Sequence, residues 1–165
     1  MEDNYGYGWG VWLIPDDRYL IEALSHQPHV TISCNMEKEF AYEFYNTLKI
    51  LYGTEHKVLF EPHCDLFIDN SSYSNNDVYK CCSGYQCSSP KWDLFRNIHK
   101  KYKISNPQLN NLGNFSKSPH LTYSYAQRIQ DVKYANNGNL RELNCKLVIA
   151  DIRNKDPSKW CYVES

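Results

Sequence analysis

The chain has 165 residues, a formal net charge of −1 at pH 7 and an apolar share of 42%. That length can bury one core without disulfide or metal staples, so a single domain is expected over 1–165. The near-zero charge gives no basic field for long duplex nucleic acid, and no apolar run reaches the roughly 20 residues of a membrane span.

The first element is announced by Tyr5-Gly6-Tyr7-Gly8-Trp9-Gly10 and the apolar run to Ile14. It reads as a strand whose glycines admit a close neighbour. Tyr5, Tyr7 and Trp9 would share one face, where a ring can either pack beneath a helix or stack on a nucleobase. Pro15-Asp16-Asp17 then opens a short helix from Arg18 to Leu24. Pro28 to Cys34 (Pro-His-Val-Thr-Ile-Ser-Cys) alternates with period two and reads as a strand, with His29, Thr31 and Ser33 on one face and Val30, Ile32 and Cys34 on the other. Asn35 is the expected N-cap of the next helix, whose stripe of Phe40, Phe44, Leu48 and Leu51 ends at Gly53.

Two short strands, 57–60 and 66–68, are expected to be broken around Pro62-His63. His63 follows a proline as His29 does, but Asp65 stands where a hydroxyl would be needed, so no catalytic role is assigned to it. Residues 71–77 read as a polar loop and 79–85 as a returning strand. Trp92, Phe95, Ile98 and Tyr102 mark a second helix, and 105–118 reads as a long loop in which Phe115 is a candidate base contact. Pro119 to Tyr125 (Pro-His-Leu-Thr-Tyr-Ser-Tyr) repeats the earlier pattern, placing His120, Thr122 and Ser124 on one face. Beyond it, 126–138 begins helical, 146–152 reads as a buried strand and 160–163 as an edge strand.

The repeat is the strongest signal. With six His and four Thr, His-x-Thr should arise about 0.15 times by chance, yet it occurs twice, each time behind Pro and before x-Ser. Two imidazoles from two strands form a complementary pair, one accepting a proton and the other donating one, because the ordinary His pKa lies near neutrality. The threonine hydroxyls would bind the non-bridging oxygens of a phosphodiester between them. Acid and base both come from protein, so no metal or other cofactor is called for. The seven cysteines, an odd number behind an acidic start with no apolar leader, fit free thiols and a cytoplasmic setting, the host cytoplasm for a viral protein. Cys81, Cys82 and Cys87 lack the spacing of a zinc site, and with His63, Cys64 and Asp65 they are not read as one.

Two His-x-Thr motifs half a domain apart resemble the signature of the 2H phosphoesterase superfamily. The resemblance implies an α+β fold of two pseudo-symmetric lobes, with antiparallel sheets around a central groove. It also implies metal-independent phosphodiester chemistry with His29, Thr31, His120 and Thr122 as catalytic residues. Tyr5 to Gly10 followed by Pro-His-Val-Thr-Ile-Ser-Cys-Asn-Met is most similar to the phage anti-CBASS phosphodiesterases, which destroy cyclic nucleotide immune signals such as cGAMP. In that group a glutamate downstream of the second motif contacts substrate, and Glu142 is the matching candidate. The implied partner is a cyclic di- or trinucleotide, with Tyr5, Tyr7, Trp9 and Phe115 as stacking candidates. The alternatives are an enzyme acting on RNA 2′,3′-cyclic phosphate ends or 2′,5′-oligoadenylate, and a module that sequesters a nucleotide without cleaving it.

Overall fold

A computed structural model describes residues 6–69, 78–79, 81–106, 112–133 and 141–163; the side chains at 19, 62–69, 129 and 141 lie outside that description. The described residues are α+β, with three α-helices and eight strands in one sheet whose pairings are all antiparallel. In chain order these are β1 (Trp9–Pro15), α1 (Arg18–Ala23), β2 (Val30–Met36), α2 (Lys38–Tyr52), β3 (Glu55–Asp69), β4 (Cys81–Ser88), α3 (Trp92–Ser105), β5 (Leu112–Phe115), β6 (His120–Ala126), β7 (Arg141–Asp151) and β8 (Cys161–Val163).

The strands run in the order β1-β2-β6-β4-β3-β7-β8, and β1 also pairs with β7. The pairings therefore close a circuit from β1 through β2, β6, β4, β3 and β7 back to β1. The junction of the two motif strands is its narrowest link, a single pair between Val30 and Leu121. Elsewhere the ladders are longer: β1 and β7 are matched residue for residue from Trp9–Asp151 to Pro15–Cys145.

Alternation sorts the side chains onto two faces. Val11, Leu13, Val30, Ile32, Leu121, Leu147 and Ile149 join the main core, which takes Phe40, Phe44 and Leu48 from α2 and Trp92 and Phe95 from α3. On the opposite face Trp12, Ile14, Val148, Ala150 and Ile152 form a second apolar layer, against which Tyr7, Cys34 and Trp160 pack. The helices thus back one face, and the second layer floors a groove on the other.

Several local expectations are corrected. Asn35 does not cap α2: it lies next to last in β2 with a left-handed backbone (φ 59°), which Asn tolerates, and Glu37 is the N-cap. Leu51 is exposed and the buried stripe of α2 stops at Leu48: position i+11 is three turns on and still in line with Phe40, but the last turn of the helix leaves it uncovered. The two strands expected around Pro62 are one, β3. The break survives as a register irregularity between Glu61 and Asp65, where a proline cannot donate to the ladder. The long loop expected over 105–118 contains β5, which fills the edge of β2 beyond its junction with β6. The helix expected from 126 is instead the end of β6 and a short 3₁₀ turn (Ile129–Asp131). The polar loop at 71–77 and the turn at 136–138 lie outside the described residues.

Candidate active site

The Val30–Leu121 pair aligns the two motifs. Continuing that antiparallel register by one residue each way sets His29 opposite Thr122 and Thr31 opposite His120. Directly opposed residues share a face, with Cβ atoms about 5 Å apart. The four side chains therefore form a patch in which each imidazole faces the other strand's hydroxyl. All four line one groove of about 370 Å³.

Each imidazole is held in the same way. His29 Nδ1–H donates to the carbonyl of Gln27 at 2.8 Å, and His120 Nδ1–H to the carbonyl of Ser118 at 2.9 Å. A carbonyl only accepts, so Nδ1 carries the proton in both rings and Nε2 is left for the groove. The proline before each histidine fixes φ of the residue that lies between that carbonyl and the ring it holds. The rings differ in burial. His29 is only 6% exposed, and burial, with smaller contributions from His26 and His120, lowers its pKa to about 3 against the Gln27 bond, which raises it. His120 is half-buried and keeps contact with water.

Beyond the threonines the expected faces fail, for one reason in both strands. On β2 the register with β1 shifts between Val11–Ser33 and Trp12–Thr31, leaving one extra residue after Thr31. On β6 the register with β4 shifts between Ser83–Ser124 and Gly84–Thr122, leaving one extra residue after Thr122. A bulge of one residue turns every later side chain to the opposite face. Ser33 is accordingly buried, its Oγ donating to Met36 Sδ, and Ser124 Oγ accepts from the Lys133 backbone N–H. Cys34 and Tyr125 line the groove in their place. Burial raises the Cys34 thiol to about 11, so it is protonated at neutral pH.

Of the proposed substrate contacts, Tyr7 and Phe115 line the groove. Trp9 does not: it packs on the helix-side core with Lys38 and Arg153 over its ring, 5.2 and 4.9 Å from the centroid. Gly8, at φ +66°, breaks the alternation that would have kept Tyr7 and Trp9 on one face. Glu142 is not brought to the groove. It is exposed near the start of β7, 3.8 Å from Lys57, and six residues, about 20 Å of strand, before Val148 in the groove floor. Tyr5 and the side chain of His63 lie outside the described residues.

Four aromatic residues at the groove, Trp12, Tyr79, Tyr125 and Trp160, were not singled out as site residues in the sequence. Trp12 stacks on His29, with ring centroids 3.8 Å apart and 13° between planes. Trp160 meets Tyr7, His29 and Tyr125 edge-on at 5.7–5.8 Å, its Nε1–H donating to the Asn154 carbonyl. Tyr79 donates to Tyr7 Oη at 3.0 Å. A fifth residue, His26, donates from Nε2 to the Thr122 carbonyl at 2.9 Å, beside the β6 bulge; burial lowers its pKa. Alternation after Trp9 could have placed Trp12 and His29 on one side. Nothing local announces Trp160, which arrives from the other end of the chain.

No group of three or more His, Cys, Asp or Glu that could hold a metal occurs among the described residues, in which six cysteines are unbridged. No helix among them is long and apolar enough to cross a membrane. No protein-family model matches this chain, and no curated protein matches it. The site's chemistry therefore rests on its geometry: one buried neutral imidazole, one hydrated imidazole, and two hydroxyls between them.

Proposed function

We propose that this chain is a metal-independent phosphodiesterase of the 2H type that cleaves cyclic oligonucleotide second messengers. The observation that carries the reading is the matched pair of histidines, each fixed through Nδ1 to the carbonyl two residues before it and set across one strand junction from the partner motif's threonine. A module that only sequesters a nucleotide has no need of a matched acid and base. The identical bulges behind the two motifs support a fold of two related halves.

In this mechanism the phosphodiester lies across the patch, its non-bridging oxygens accepting hydrogen bonds from Thr31 and Thr122. His29, neutral at physiological pH, accepts at Nε2 the proton of an attacking water or hydroxyl as the new P–O bond forms. The P–O bond to the departing ribose oxygen breaks, and His120 delivers its Nε2 proton to that oxygen. Proximity of a second charged ring opposes a charge on His29 in the resting state, which favours the one-neutral, one-charged pair the reaction needs.

Groove size and lining favour a compact, base-bearing ligand. Tyr7, Phe115, Tyr125 and Trp160 offer ring surface around about 370 Å³. The resemblance to the anti-CBASS phosphodiesterases adds a role in evading host antiviral signalling. Glu142, far from the groove, takes no part in this proposal.

Chromatographic product analysis tests it. Purified protein in EDTA meets cyclic di- and trinucleotides, linear 2′,5′-oligoadenylate and RNA ending in a 2′,3′-cyclic phosphate. Cleavage of the cyclic messengers is expected. Cleavage confined to the RNA or linear oligomers would move the chain to RNA processing, and binding without cleavage would make it a sequestering module.

A further inference from the structure

The base proposed above has a chemical difficulty. A buried imidazole that takes a proton must hold a positive charge with little water around it, and enzymes commonly answer with a carboxylate on Nδ1. Here Nδ1 of His29 is bonded to a backbone carbonyl, and the titratable groups whose fields act on the ring are His26 and His120, both cationic when charged. No carboxylate serves it among the described residues. What lies against His29 is the indole face of Trp12, parallel to it and 0% exposed.

We propose that Trp12 is a positioning residue for His29, its indole face holding the ring square to the groove and stabilising the imidazolium that forms when Nε2 takes a proton. The inference rests on the phosphodiesterase reading for its place in a reaction, but its effect on His29 does not depend on it. The face of an indole is electron-rich and attracts a cation more strongly than that of any other side-chain ring. A second observation points the same way. The Trp12 Nε1–H is buried with no hydrogen-bond partner among the described residues, a cost that phenylalanine would avoid at the same place. The indole is thus placed for its face rather than its donor. No ring stacks on His120 among the described residues, and that half-exposed histidine has water to share its charge.

The test replaces Trp12 by mono-, di- and trifluorotryptophan and by phenylalanine. Fluorination drains the negative face while leaving the shape of the ring nearly unchanged, so folding and access are held constant where truncation would not hold them. The first readout is the rate at which diethyl pyrocarbonate modifies His29 and His120 at neutral pH, resolved by mass spectrometry. Attack by Nε2 on this reagent builds the same positive charge on the ring. The His29 rate is expected to fall stepwise with each fluorine, by about 2- to 30-fold across the series, with His120 unchanged. The second readout is phosphodiester turnover, expected to fall in parallel with KM unaltered.

A His29 rate that stays flat through the fluorinated series overturns the inference, whatever turnover does, because a merely structural Trp12 would give that result. If the unsubstituted protein cleaves no phosphodiester while the His29 rate follows the series, the stack acts as inferred and the phosphodiesterase reading is the one that falls.

Discussion

The two histidines are alike in tether and unlike in burial, and the proposed mechanism takes its division of labour from that difference. His29 is stacked beneath Trp12 and desolvated, so its resting state is the neutral acceptor. His120 sits at the wetter end of the patch, where the proposed mechanism places the general acid. General acids and bases each contribute about 10²- to 10⁴-fold. His29→Ala and His120→Ala are therefore each expected to lower kcat by at least about 10²-fold on the cleaved cyclic nucleotide. Circular dichroism melts should show both variants folded. Undiminished turnover in either folded variant would remove the paired-histidine mechanism. If the proposed mechanism holds, with acid, base and oxygen ligands all supplied by side chains, phosphodiester cleavage by the unaltered protein should persist after exhaustive chelation.

At the scale of elements, the bulges decide which residues the groove receives. Gly84 sits opposite the β6 bulge, and a Cβ there would run into the Leu121 carbonyl and the Thr122 Cα. Gly84→Ala must push β4 away from β6 or flatten the bulge that aims Thr122. Overpacking of this kind costs about 1–3 kcal/mol, and for a chain of this length each kcal/mol moves Tm by about 2–4 °C. Calorimetry should show that loss, and turnover should drop with it. An alanine variant with unchanged Tm would mean that the close approach is not needed.

The same bulges explain what the sequence could and could not disclose. Period-two alternation was sufficient to read both motif strands and the shared face of His and Thr. One inserted residue, invisible to any periodicity, sent Ser33 and Ser124 away from the groove and brought Cys34 and Tyr125 into it. Gly8 did the same to Trp9. Helices α2 and α3 were legible because their apolar stripes are local, whereas β5 was hidden in an Asn- and Gly-rich stretch whose pairing comes from the open edge of β2. Trp160 and His26 reach the site by tertiary contact alone. Glu142 was placed by its distance along the chain from the second motif, which does not fix its distance in space.

At the scale of the whole molecule, the buried histidines tie stability to pH. Burial is the largest cause lowering the pKa of His26, His29, His56 and His99 from the ordinary 6.5, and each is also held by a backbone carbonyl that opposes the shift. A depressed histidine favours the folded state fully above 6.5. As pH falls below that value the unfolded chain binds protons that the folded chain refuses. Stability then declines by about 1.4 kcal/mol per pH unit for each such group, until its own folded pKa is reached. Urea midpoints should be level between about pH 7.5 and 6.5 and fall steeply by about pH 5. A level profile through that range would show that these rings charge as readily inside the fold as outside it.

The single pair joining the two motif strands has a consequence for how the protein is made. Val30 and Leu121 are 91 residues apart in sequence, and the β1–β7 ladder that closes the circuit spans up to 142. Neither histidine meets its partner motif until most of the polypeptide has been synthesised. Assembly waits on contacts of high sequence separation, which close slowly. Appearance of cleavage during refolding would therefore report the last step of folding rather than the first. A chain stopped before β6 would be silent however well its helices formed.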